Sequence, residues 1–381
     1  MTKARLFIAT TYYPQFVTDF YNKNIGMISG SYQHQFDALM RQGFGFGDVW
    51  KYELEKTGLF DVEIAVINIP QMQQKWADEQ QVGYTSNDWM ETILFEQILK
   101  FKPDILFAHD RIYLTPVVIR KIKQLQPSIR KVISWDGVAI CDKSCFEASD
   151  IILTCNQIIT DYYIQEDKQS YLLPFAFDHR ILTLIPPIEK LYDISFVGSL
   201  TLRKNGHLKR FKLLSEVINQ FDIDLWLSSF NENKIYFIKQ LLQLLRDNDF
   251  RGISDVIQLA LKNKGEAFGL AMYQILAASK ITLNSHIDVS YNISGNSRLW
   301  EATGVGACLV TDWKDNMADI FVPDEEVVVY RTPEECVDKV SYLLSHPKDM
   351  ERIAKAGQKR TLEEYNYASR LEKIIPLLLD I

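Results

Sequence analysis

Two doubly wound α/β domains are predicted by three observations. Short apolar runs alternate with amphipathic helical stretches from Arg5 to Leu173, the alternation resumes from Asp193 to Tyr330, and Pro174, Pro186 and Pro187 interrupt the chain between them. A chain of 381 residues is long for one domain and suits two, each with its own core. Alternating strands and helices imply βαβ units, and hence parallel sheets. The predicted domains span residues 1–188 and 189–362, with 363–381 a C-terminal helix able to pack back on the first.

Composition narrows the function classes. Apolar residues make up 47% and charged residues 24%, as in ordinary globular proteins. The net charge of −7 argues against a nucleic-acid binder. The five cysteines (Cys141, Cys145, Cys155, Cys308, Cys336) show no C-x-x-C pair, and they read as reduced thiols with neither a disulfide framework nor a zinc site. The run Leu6–Ala9 is too short for a signal sequence, and no stretch approaches the ~18 apolar residues of a membrane span. A cytoplasmic location follows as the expectation.

In the first half, residues 5–10 read as a buried strand, whereas 12–31 show no clear period. A helix over 32–41 leads to Gly43, Gly45 and Gly47, which precede a helix to Lys56. These glycines are either a surface loop or a ligand loop; they make no dinucleotide fingerprint, because Asp48 stands where its last glycine should be. After a strand at 62–67, the polar stretch 70–87 reads as an irregular excursion. The alternation then becomes regular: helix 89–100, strand 104–107, helix 115–125, strand 131–134, a short helix near Cys141, strand 151–154, helix 157–164 and strand 170–173. Ligands of such sheets sit beyond the carboxyl ends of the strands. That rule selects His109 and Asp110 after one strand and Asp136 after another, although Asp is also an ordinary turn residue.

The second half repeats the pattern, with strands at 193–197, 223–227, 280–283, 308–311 and 327–330, and helices over 207–219, across 235–278 and from Pro333 onwards. Three of its strand ends carry residues that outline a nucleotide-diphosphate site. Gly198 lets backbone approach a phosphate, and Arg203 and Lys204 just beyond it can balance a pyrophosphate. Two cations at a helix start oppose the helix dipole unless an anion lies between them; the alternative is a solvated helix start. Asn284 and Ser285 end the strand at 280. The turn Ser294-Gly295-Asn296-Ser297 then opens a short helix carrying Arg298 and Glu301. Its backbone N–H groups and Arg298 suit an anion, and Glu301 suits ribose hydroxyls. Alternatively, Asn296 or Ser297 serves only as a helix cap.

The segments F-V-G-S-L followed by R-K, S-R-L-W-E-A-T-G-V-G-A-C-L-V-T-D, D-I-F-V-P-D-E-E-V-V-V-Y and I-A-K-A-G-Q-K-R-T-L-E-E-Y resemble the C-terminal half of GT-B glycosyltransferases, nearest the CgeB-like group. The likeness covers roughly residues 193–370. It implies two Rossmann-like domains facing across a cleft, the first on the acceptor side and the second holding the donor. It further implies retaining transfer of a sugar from a nucleotide-diphosphate sugar to an acceptor hydroxyl, without metal or other cofactor. Glu301 matches the ribose-binding glutamate and Lys204 the phosphate-binding lysine. The family's arginine after the glycine is Ser199 here, so Arg203 would replace it, and Ile293 stands where the larger retaining group has a second glutamate. Asp136 and His109 are the first domain's candidates for orienting donor sugar or acceptor. A non-catalytic nucleotide-sugar binding or scaffold protein, or a nucleotide-sugar epimerase, are alternatives on the same fold.

Overall fold

The computed structural model describes residues 2–137, 140, 142–201, 206–228, 230, 246 and 250–380. The chain divides into one unit of Met1–Pro174 with Tyr367–Ile381 and another of Phe175–Asn366. Residues 175–188, assigned to the first domain from the sequence, thus lie in the second unit.

The first unit is built on six parallel strands: β1 (Ala4–Thr10), β2 (Phe60–Val66), β3 (Ile105–Ala108), β4 (Lys131–Asp136), β5 (Ile151–Thr154) and β6 (Ser170–Leu172), in the order β2-β1-β3-β4-β5-β6. Its helices are α1 (Pro14–Lys23), α2 (Tyr32–Met40), α3 (Gly47–Lys56), α4 (Pro70–Gln80), α5 (Trp89–Phe101), α6 (Pro116–Leu125) and α7 (Gln157–Gln165). Two of these depart from expectation. The stretch read as an excursion is the helix α4, started by Pro70 and burying Met72, Gln73, Trp76 and Ala77 on one face. A buried glutamine blurs the apolar period: Gln73 donates to the Val66 carbonyl at 3.0 Å and accepts from Gln97 at 2.8 Å. The aperiodic stretch 12–31 contains α1, whose Phe16, Val17, Phe20 and Tyr21 are buried, and a 3₁₀ turn, Ile25–Ser29, with no buried residue. Near Cys141 there is likewise a 3₁₀ turn, Lys143–Phe146. Cys145 is disulfide-bonded, correcting its reading as a reduced thiol, whereas Cys155, Cys308 and Cys336 are free.

Five parallel strands form the second unit: β7 (Tyr192–Ser199), β8 (Asp224–Ser228), β9 (Ser279–Asn284), β10 (Cys308–Asp312) and β11 (Val328–Tyr330), in the order β11-β10-β9-β7-β8. Residues alternate along β7, so Ile194 and Phe196 join one apolar core while Val197 joins the core on the other face. The flanking helices are α8 (Ile181–Leu184), α9 (Leu208–Ile218), α10 (Phe250–Lys262), α11 (Gly269–Ala277), α12 (Arg298–Gly304), α13 (Met317–Ile320), α14 (Pro333–Ser345) and α15 (Pro347–Glu364). The last helix, α16 (Tyr367–Leu379), belongs to the first unit, where the Lys131 ammonium on β4 donates to the Leu377 carbonyl at 2.6 Å. Among the described residues no helix is long and apolar enough to cross a membrane.

In both sheets the side on which successive strands are added reverses once. The reversals fall between β1 and β3 in the first unit and between β7 and β9 in the second. Such switch points are where adjacent loops leave in opposite directions and open a crevice beyond the strands.

Candidate functional site

The second unit's switch point is bridged by a residue that the sequence reading passed over. Arg210, from α9, is 6% exposed, and its guanidinium donates to the carbonyl of Ser199 at the end of β7 and to that of Ser285 just after β9. Its Nε is buried without a partner, and among the described residues no carboxylate lies within ion-pair distance. Burial lowers the Arg210 pKa to about 10, opposed mainly by the attraction of Asp312, and Arg298 adds repulsion. A side chain at Gly198 would crowd this place: a Cβ there would stand 3.2 Å from the Phe196 ring and 3.9 Å from the Arg210 guanidinium.

Around this cation the strand ends are tied together by polar groups. Asn284, ending β9, donates to Thr311 at 2.9 Å and accepts from Asn296 at 2.8 Å, while the Tyr330 hydroxyl donates to its carbonyl at 2.7 Å. His286, 2% exposed, shares a 2.7 Å bond through Nδ1 with Asp312 and a 3.2 Å bond through Nε2 with Ser294. The other Asp312 oxygen pairs with the buried Lys314 ammonium at 3.2 Å. Burial alone would raise the Asp312 carboxyl, but hydrogen bonds from His286 and the charges of His286 and Lys314 hold it well below the usual range. Asn316 clamps the backbone of Ser294, accepting from its N–H at 2.7 Å and donating to its carbonyl at 3.1 Å. The turn from Ser294 to Ser297 is thereby fixed from behind.

Capping does not account for that turn. Ser297 occupies the N-cap position of α12 without a side-chain cap bond, and the Asn296 side chain is engaged with Asn284. Arg298 and Glu301 face each other as a largely buried ion pair at 2.8 Å, and Arg298 also approaches the Met272 sulfur. The pair's geometry falls short of a hydrogen bond, leaving the buried Glu301 Oε2 without one. Arg203 and Lys204 lie outside the described residues.

In the first unit, Thr10 at the end of β1 and His109 just after β3 meet across the switch point through a 2.8 Å bond to His109 Nδ1. Phe46 lies edge-on to the imidazole at 4.4 Å, and Phe107 and Trp135 flank it. Burial lowers the His109 pKa to about 4 against the opposing pull of Asp110, so the ring is neutral at pH 7. The glycine loop serves this arrangement. Gly43 and Gly45 have φ of 60° and 75°, a left-handed conformation favouring glycine, and they deliver Phe46 to the histidine. Asp136 is 2% exposed and accepts hydrogen bonds from Arg111 at 2.9 Å and from the Tyr163 hydroxyl at 2.6 Å. Asp136 is itself buried, whereas its partner Arg111 is partly exposed.

Gly198, Asn284, Asn296, Ser297, Arg298 and Glu301 thus belong to one unit, and His109 and Asp136 to the other. Among the residues passed over, His286 directly follows Asn284-Ser285, so the strand-end rule reached one position short of it. Arg210 carried a different signal, since it stands on the buried stripe of α9 with Leu213, Leu214 and Val217.

Residues 236–376 match the family model described as glycosyl transferase-like. No curated protein matches the sequence. Similar solved structures include Anabaena HepE in complex with UDP and glucose, 11% identical, covering 100% of both chains at a TM-score of 0.57. A glycosyltransferase from Rickettsia africae is 12% identical over 99% of this chain and 98% of that one, at 0.56. Apo OtsA is 10% identical over 100% of both, at 0.56. The fold is GT-B.

Proposed function

Since the chain has the GT-B fold and its residues 236–376 are those of a glycosyl transferase-like family, we propose that it transfers a sugar from a nucleoside-diphosphate sugar to an acceptor hydroxyl, retaining the anomeric configuration and using no metal. The observation that carries the reading is Arg210, a buried guanidinium at the second unit's switch point with no carboxylate at ion-pair distance among the described residues. A buried charge without a counter-ion is costly, and an anionic ligand beyond β7 and β9 would supply one. The solved complexes of HepE with UDP and UDP-glucose support a nucleoside diphosphate as that anion.

In this reading the diphosphate lies beyond Gly198, where the missing side chain opens room, with Arg203 and Lys204 contributing from the following segment. Negative charge grows on the departing diphosphate, so cations already held in place lower the barrier without reorganising. Arg210 is a positioning residue as well as a charge, because its fork orients the backbone leaving two strands. Glu301 holds the ribose, with Arg298 setting its direction. Asn284, Asn296 and Ser297 form the polar wall over the donor, braced by His286, Asp312 and Asn316. The leaving phosphate accepts the acceptor's proton in a front-face attack. In the first unit, neutral His109 and, through Arg111, Asp136 orient donor sugar or acceptor.

Titration calorimetry with UDP and with uridine tests this. Arg210→Gln should weaken UDP binding by at least about tenfold, the scale of one charge-assisted contact, and leave uridine unchanged. Failure of UDP and other nucleoside diphosphates to bind, or equal losses for uridine and UDP, would overturn the reading. Activity should survive exhaustive EDTA treatment, and the product anomer should match that of the donor.

A further inference from the structure

The second unit contains a groove of about 680 Å³ that the donor reading leaves unused. It lies at the opposite end of the sheet. Among its lining residues, Lys190 precedes β7, Lys280 is the second residue of β9, and Gly306 precedes β10, so these are the amino ends of the strands that carry the donor site at their carboxyl ends. Its volume falls in the range of small-molecule sites, about 300–1,000 Å³.

The lining combines two chemistries. Ile185, just after α8, Val305, just after α12, Leu344 of α14 and Met350 of α15 supply the apolar lining. The charged lining is three lysines, Lys190, Lys280 and Lys355, against one acid, Glu351. Lys280 is matched by Asp193 at 2.6 Å, and Lys355 reaches Glu351 only at 4.0 Å, on the exposed surface of α15. Lys190 differs from both. Its ammonium donates to the carbonyls of Ser279 at 2.9 Å and Gly306 at 3.1 Å, and among the described residues it has no carboxylate partner. These carbonyls steer the cation to the groove without neutralising it, and an ammonium has three N–H donors.

We infer that this groove binds a single-chain amphiphile with an anionic head, a long-chain carboxylate, whose tail lies along Ile185, Val305, Leu344 and Met350 and whose head meets Lys190. Charge complementarity selects the head: the unmatched groups are cationic, so an anion gains and a cationic amphiphile is repelled. The apolar lining selects the tail. Nothing in this assignment depends on the identity of the sugar donor.

Calorimetric titration of the full chain with dodecanoate, kept below its micelle concentration, tests the assignment. Dodecanoate should bind more tightly than decanoate by about tenfold, as burial of two further methylenes requires. It should also bind more tightly than dodecanol, and dodecyltrimethylammonium should bind weakest. Lys190→Gln should abolish the preference for dodecanoate over dodecanol while leaving dodecanol affinity unchanged, and Ala354→Trp, which fills the groove, should weaken both. UDP affinity should be unaffected by saturating dodecanoate. Three results would each overturn the inference: no dodecanoate binding, equal binding of dodecanoate and dodecanol by the wild type, or competition between dodecanoate and UDP. Undiminished binding to both variants would place any amphiphile elsewhere.

Discussion

Glu301 is the residue whose role the structure changes most. Read from the sequence it is a carboxylate free to meet ribose; in the structure it is paired with Arg298 and both are largely buried. Glu301→Gln therefore has two effects. Loss of charge-assisted bonds to ribose, worth about 1.5–3 kcal/mol, should weaken donor binding by roughly ten- to a hundredfold. Leaving the largely buried Arg298 without its charged partner should also lower stability without ligand, by about 1–3 kcal/mol, the cost of a buried donor left unsatisfied. A 2′,3′-dideoxy UDP separates the two, since it lacks the hydroxyls and should bind wild type and variant about equally once both are folded. Equal loss of UDP and dideoxy UDP would mean that Glu301 acts only through Arg298. At this scale the candidate donor-site residues legible in the sequence were those placed by a strand end, such as Gly198 and Asn284. Arg210 was not, because burial of a cation is decided by partners far apart in the chain: Arg210 needs Ser199 and Ser285, which only the sheet order brings together.

Among elements, α15 governs how α12 presents Arg298 and Glu301. Thr361 and Thr303 share a 2.6 Å hydroxyl bond, and Gln358 donates to the Gly304 carbonyl at 3.0 Å. Their approach depends on Gly357, where a Cβ would collide with the Glu326 carbonyl oxygen and lie 3.4 Å from Thr303. In an exposed helix, Gly→Ala would gain up to about 1 kcal/mol from propensity. Here overpacking against backbone, about 1–3 kcal/mol in general, should win, so Gly357→Ala should lower the denaturation midpoint. A variant as stable as wild type would show that α15 can shift away without loss. The same principle explains which elements were legible. Strands β1, β3 and β5 are short, mostly apolar runs, buried throughout apart from Arg5 in β1, and their composition announces them. Helix α4 hides because its buried face includes Gln73, satisfied by partners that composition cannot reveal.

For the whole molecule, alternation in the sequence implies parallel sheets, yet it says nothing of which strands are neighbours. The order β11-β10-β9-β7-β8 is what makes a switch point of β7 and β9 and gathers the candidate strand ends beside it. Both units also carry a buried neutral histidine near a switch point, and this links the fold to pH. His109 in the first unit and His207 in the second are each lowered to about 4 by burial, with Arg210 adding repulsion at His207. Unfolded, each titrates near 6.5. Between those values the unfolded chain binds more protons than the folded one, so stability rises with pH across the window. The contribution of both residues is complete above about pH 6.5 and is lost as pH falls towards about 4. Glu63 works in the opposite sense, since burial raises its carboxyl despite Lys51, so its protonation favours the folded state on acidification. Asp312 adds a further loss below about pH 4, where the unfolded carboxyl takes up a proton that the folded one resists. Denaturation midpoints should therefore fall from pH 7 to pH 4.5, and replacing both His109 and His207 by Gln should flatten that slope. The comparison is of slopes, because each substitution also changes stability at pH 7. A double variant with the wild-type slope would mean that the two imidazoles accept protons in the folded state as readily as in the unfolded chain.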